Sequence, residues 1–235
     1  MTAVPATPDG GAADGGRVTA IVGGALVALT VVAALYFRHH PGPIFLDRWG
    51  FSFVHPHPKD RIYKWVTELG SAAVLVAGSI LAAVVVVSRD RARALACLVA
   101  PGLAVVLVEW LLKPVIARRY AQVLSFPSGT TTAVASLATA WVLAVPDRIR
   151  PVAVAIGAFL VGLVSIAVIG LQWHFPTDAL GGVVFGAGVV LLVDGLCHLG
   201  AASLREPGGP SASAEGTRHH VAPSDDVDAP HPAPA

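Results

Sequence analysis

Long apolar runs alternate with short polar stretches along this chain of 235 residues. Six runs stand out, near 18–37, 70–88, 95–112, 129–145, 152–171 and 178–199. Each approaches the roughly 20 residues that an α-helix needs to cross a bilayer. The apolar residues come in blocks with the charges between them, the pattern of an integral membrane protein and not of a soluble core. The pattern predicts an all-α, polytopic membrane protein built as a six-span helical bundle. The fourth run is the shortest, and a five-span chain with that segment re-entrant is the other count.

Composition agrees. Hydrophobic residues make up 54% of the chain and charged residues 13%, about half the charged share of a typical globular domain. The net charge of +1 gives no basis for nucleic-acid binding. The first run is long for a secretory signal, and Asp9 and Asp14 precede its lone Arg17. It is expected to be a retained anchor. Cys97 and Cys197 both fall inside spans, where lone thiols act as packing residues. Residues 1–16 form an expected disordered tail, 17–199 the membrane domain, and 200–235 a second disordered tail rich in Pro, Ala, Ser and Gly. His219, His220 and His231 read as solvated tail residues. No metal site and no cofactor are expected.

Six spans put both tails on one side. Lys and Arg divide eight and eight between the sides. Setting aside Lys113, Arg118 and Arg119, which a site could hold, leaves eight against five in favour of tails inside. The expected location is the plasma membrane, with both termini cytoplasmic.

This topology brings two polar loops to one outer surface. One carries "KPVIARRYAQVLSFPSG", the other "QWHFPTD". Ser128 suits the N-cap of the fourth span. The first amides of that helix, from Gly129 onward, lack partners within it. They sit at the positive end of the helix dipole, where a phosphate is favoured. A well-capped helix start accounts for "PSGTTT" equally well. In the second loop Pro176 fits the first helical turn. His174 then lies just outside the helix and Asp178 in its first turn. Asp178 is expected to take a proton from one imidazole nitrogen and free the other as a nucleophile or base. Glu109, four residues before Lys113, shares its helix face. It either positions the lysine or lowers the cost of two charges near the membrane. Asp194, deep in the sixth run, would serve a proton-coupled transporter; an acid near a helix end, bonded to His198, is the simpler reading.

A lysine closing the third span, then "PSG", then H-x-x-x-D before the last span: this series resembles the type 2 phosphatidic acid phosphatase superfamily, also called the lipid phosphate phosphatase and haloperoxidase superfamily. The likeness covers about residues 60–199, and "VTELGSAAVL" adds to it. It implies metal-independent hydrolysis of a lipid phosphate or diphosphate, such as a polyprenyl diphosphate, at the outer face. It implies His174 as a nucleophile that becomes phosphohistidine, oriented by Asp178. It implies a phosphate held by Lys113, Arg118, Arg119, Ser128, Gly129 and Thr130. The motifs also depart from the family pattern. Tyr120 and Ala121 stand where arginine-proline is usual, and Thr130 where the proton-donating histidine is usual. Ala167 and Val168 replace serine-arginine. His55 and His57, in a loop on the same face, are candidates for the missing acid. The alternative is a catalytically impaired relative that binds lipid phosphates or partner membrane proteins.

Overall fold

The computed structural model describes residues 9–54, 56–58, 60–121 and 123–204. It is all-α apart from one two-residue-by-two-residue hairpin. The helices are α1 (Asp9–His39), α2 (Phe45–Phe53), α3 (Arg61–Thr67), α4 (Ala72–Val86), α5 (Arg91–Leu107), α6 (Lys113–Ile116), α7 (Gly129–Ala144), α8 (Arg150–Gly170) and α9 (Pro176–Ser203). Strands β1 (Arg119–Tyr120) and β2 (Val123–Leu124) pair antiparallel between α6 and α7.

Four segments are long and apolar enough to cross a membrane: Asp14–His39, Arg91–Ile116, Asp147–Gly170 and Pro176–Ser203. The pair Arg61–Gly70 and Ala72–Val86, bent by 42°, makes up to five. The fourth predicted span is α7. Its 16 residues reach about 24 Å at 1.5 Å per residue, short of the ~30 Å hydrocarbon core. Helix α1 begins at Asp9, so residues 9–16 are helical where a disordered tail was expected. The tail beyond residue 204 lies outside the described residues.

Burial is inverted relative to a soluble protein. Large apolar side chains such as Ile21, Val84, Phe159 and Leu180 face outward. The interior is lined by small residues, among them Ala82, Ala100, Ala104, Ala140 and Ala144. That arrangement suits a lipid solvent, in which helices associate through close contact of small residues. Helix α7 is the hub, packed by α4, α5, α8 and α9. A side chain at Gly182 would come within 2.6 Å of the Ser128 carbonyl, and one at Gly186 within 2.7 Å of the Thr132 carbonyl. These two positions, one turn apart, let α9 press against the α7 backbone.

Helices α1 and α9 run antiparallel, with Gly16 against His198 and Gly188 against Leu26. At that end of the bundle Arg89 donates to the Ala144 carbonyl at 2.8 Å. Arg93 reaches Asp194 at 3.2 Å, and His198 reaches Asp90 at 2.8 Å. Asp194 is thus buried and held by Arg93, while the His198 Nδ1 bond goes to the Asp194 backbone carbonyl at 2.8 Å. Both cysteines are free thiols, and Cys97 Sγ donates to the Ala140 carbonyl.

The opposite end gathers the starts of α4, α7 and α9 with the ends of α5 and α8. Gly70 meets Thr130, Gly170 meets Tyr63, and the Ser128 amide donates to the Asp178 carbonyl at 2.9 Å. The polar loops singled out in the sequence meet here.

Candidate functional site

Proline 114 shapes the first wall. Within an α-helix its ring would strike the carbonyl four residues back. The chain answers with a π turn over Val108–Leu112, closed by the Lys113 amide donating to the Val108 carbonyl. Such turns are frequent at functional sites. Glu109 lies within this turn and Lys113 follows it, and Lys113 Nζ donates to Glu109 Oε1 at 2.6 Å. Helix α6 then stops at Ala117, in the left-handed region at φ 54°.

The second wall is the start of α7. Ser128 caps the helix as predicted: its hydroxyl accepts from the Thr131 hydroxyl at 3.0 Å and from the Thr131 amide at 3.4 Å. Gly129 follows as the first helical residue. A Cβ there would overlap the Glu109 carboxylate and come within 3.5 Å of Lys113 Nζ. Glycine therefore admits an anionic group against the helix start.

The third wall is His174. Its Nδ1 lies 2.9 Å from the Ser125 carbonyl. A carbonyl only accepts, so Nδ1 carries the proton, and a neutral ring presents the Nε2 lone pair. The nearest Asp178 oxygen is 3.9 Å from Nδ1, beyond hydrogen-bond range. The expected orientation of His174 by Asp178 is therefore replaced by a backbone acceptor. Ser125 is fixed in turn, because its amide donates to the Arg118 carbonyl at 2.9 Å across the hairpin.

Asp178 is engaged elsewhere. One oxygen accepts from the Phe175 amide at 2.9 Å, closing the cap of α9. The other accepts from Arg118 at 2.6 Å. Arg118, expected among the phosphate ligands, is 1% exposed. Its guanidinium also donates to Asp47 at 2.9 Å, to Thr177 at 2.8 Å, and to the Pro41 and Gly42 carbonyls. The rings of Phe37 and Phe175 lie over it at 3.9 and 4.3 Å. These partners use the fork fully, so Arg118 braces the loops beneath the site. Asp47 completes the brace: it caps α2 through the Ile44 amide and accepts from the Thr177 amide and hydroxyl of α9.

Glu109, Lys113 and His174, with Val123, Leu124 and Trp173, line one cavity of about 500 Å³. The other expected residues fall around it. Arg119 is exposed on β1. Thr130 packs its methyl toward Gly70. Tyr120 stacks edge-on against Phe175 at 4.5 Å, and burial pushes its hydroxyl above the ordinary range, so it brings no charge. Val168 is fully buried in an apolar cluster with Val134, Val164 and Ala179. The His57 amide donates to the Gly170 carbonyl at 2.7 Å, and His55 lies outside the described residues. No group of His, Cys, Asp or Glu that would hold a metal occurs among the described residues.

Sequence reasoning missed Asp47 and Ser125. Asp47 sits in "FLDRWG" beside Arg48, which reads as a solvated pair. Ser125 acts through its carbonyl, which no side-chain motif reports.

Glu109, Lys113 and His174 line one cavity at one end of an apolar bundle, with the start of α7 against Glu109 and Lys113; the class so defined is a multi-pass membrane protein with a polar site at one end. The PAP2 superfamily model matches residues 70–195, more than half of the chain, and the protein belongs to that superfamily. Membership carries phosphatase-type chemistry in a membrane setting. No curated protein matches the chain, and no solved structure does.

Proposed function

We propose that the protein hydrolyses a lipid phosphate or diphosphate through a phosphohistidine on His174, at the outer face of the plasma membrane. The observation that carries this reading is that Lys113 and His174 line the same cavity, with the Gly129 start of α7 against Lys113. In the first step the His174 Nε2 lone pair attacks phosphorus and the bond to the leaving oxygen breaks. The Ser125 carbonyl keeps the proton on Nδ1 and stabilises the charge that forms on the ring. Lys113 offsets charge on the phosphoryl oxygens, joined by Arg119 and by the Ser128–Gly129–Thr130 turn. Water then cleaves the phosphorus–nitrogen bond and returns neutral His174. No metal enters either step.

Four long apolar helices, the bent pair and the shorter α7 make six apolar segments, and α1 starts beside the end of α9. That parity supports six crossings, with α7 enclosed by its neighbours. The basic "RDRAR" loop supports a cytoplasmic location for the end where α1 starts and α9 finishes.

A specific observation favours the second reading, an impaired relative that binds lipid phosphates. Thr130 stands in place of the usual acid, and general acids contribute about 10²–10⁴-fold. A diphosphate suffers less from that loss, because its phosphate leaving group needs little protonation. The test is phosphate release by the purified protein from phosphatidate, phosphatidylglycerol phosphate and polyprenyl phosphates and diphosphates. Release that is faster on diphosphates and lost in His174→Ala supports the enzyme. Lipid binding with no release from any substrate supports the binding reading.

A further inference from the structure

The cavity holds one carboxylate that the proposed chemistry does not use. Glu109 bonds Lys113 at 2.6 Å and lies against Gly129, where even a Cβ would not fit beside it. It is the one acid among the described residues lining the cavity, and Lys113 is the one cation. The Glu109 carboxylate therefore rests between an ammonium and the start of a 16-residue helix, the setting in which a phosphate oxygen is stabilised.

We propose that Glu109 is an internal occupant of the phosphate seat, which a substrate must displace, and that it sets how strongly the site accepts a doubly charged phosphate. This rests on the reading of the cavity as a phosphate site. Three features support it. Lys113 Nζ gives one of its three N–H donors to Glu109, so a phosphate that approaches the ammonium meets the carboxylate's charge beside it. The Glu109 side chain is 41% exposed while that of Lys113 is 13% exposed, so the acid has open space to swing into and the lysine stays. Gly129 provides room for one anionic group beside the backbone, and Glu109 fills it. Arg118 gives no compensation, because it is already shared by Asp47 and Asp178.

A residue that merely positioned Lys113 would aid binding. An internal occupant opposes it, so the sign of the effect separates the two roles. The experiment titrates inorganic phosphate into the full chain in detergent by calorimetry, for wild type, Glu109→Gln, Glu109→Asp and Lys113→Ala. Glu109→Gln keeps the shape and removes the charge, and should bind phosphate at least about tenfold more tightly. Glu109→Asp withdraws the charge from Gly129 by one methylene and should fall between, which keeps the test available if the glutamine variant fails to assemble. With a monophosphate substrate the gain should appear as a lower KM with kcat changed less. Equal or weaker phosphate binding by both variants, with wild-type binding intact and Lys113-dependent, overturns the inference and leaves the site standing. Phosphate binding that is absent from every variant, or indifferent to Lys113→Ala, removes the phosphate site itself and the inference with it.

Discussion

Replacing Arg118 with alanine would strip the cation from two carboxylates that have no access to water. The side chains of Arg118, Asp47 and Asp178 are all 0% exposed. The guanidinium ties together the loop at Pro41–Gly42, the start of α2, the hairpin and the first turn of α9. Removing one member of a buried ion pair costs about 3–5 kcal/mol, because the remaining charge is left uncompensated. At about 2–4 °C per kcal/mol for a chain of this size, the unfolding midpoint should fall by about 6–20 °C. Thermal unfolding of the detergent-purified protein, followed by tryptophan fluorescence, measures it. Arg118→Lys should recover only part of the loss, since a compact ammonium cannot span both carboxylates as the planar fork does. An Arg118→Ala protein that melts with wild type, yet shows a raised KM, would refute the reasoning and return Arg118 to the substrate.

Gly129→Ala should leave the fold intact, since alanine favours helix, yet lower phosphate release by about 10²-fold by pushing groups out of the seat; steady-state kinetics reads this directly. Thr130→His should raise the monophosphate rate by well under the ~10²-fold lower bound for a general acid, because position 130 packs toward Gly70 and lies outside the cavity lining. In intact cells a cysteine at Val123 should react with an impermeant thiol reagent while one at Ser213 should not; the opposite pattern would invert the proposed orientation.

The ends of the site were legible in the sequence, and its supports were not. Ser128 announced a helix start through its type and the apolar run behind it. Lys113 and His174 were matched by their places before and after spans, and both line the cavity. Arg118 reads as a phosphate ligand because a lysine and two arginines within seven residues look like one cationic cluster. Only the fold shows that Arg118 points to an aspartate 71 positions away. His174 and Asp178 sit at the spacing of a pair, but the cap of α9 and Arg118 claim the aspartate first. The length of α7 was ambiguous for a similar reason. Threonines at 130–132 can extend an apolar run or cap it; the structure gives a helix of 16 residues packed among four neighbouring helices, which carries no sequence signature.

The central claim is that His174 Nε2 becomes covalently phosphorylated. The direct measurement is rapid quench of the purified protein with a phosphorus-labelled polyprenyl diphosphate, followed by peptide mass spectrometry under alkaline conditions that preserve phosphohistidine. Label should appear on His174 before product release and be absent in His174→Ala. Turnover that proceeds without any label on His174, or that survives His174→Ala, would contradict the claim.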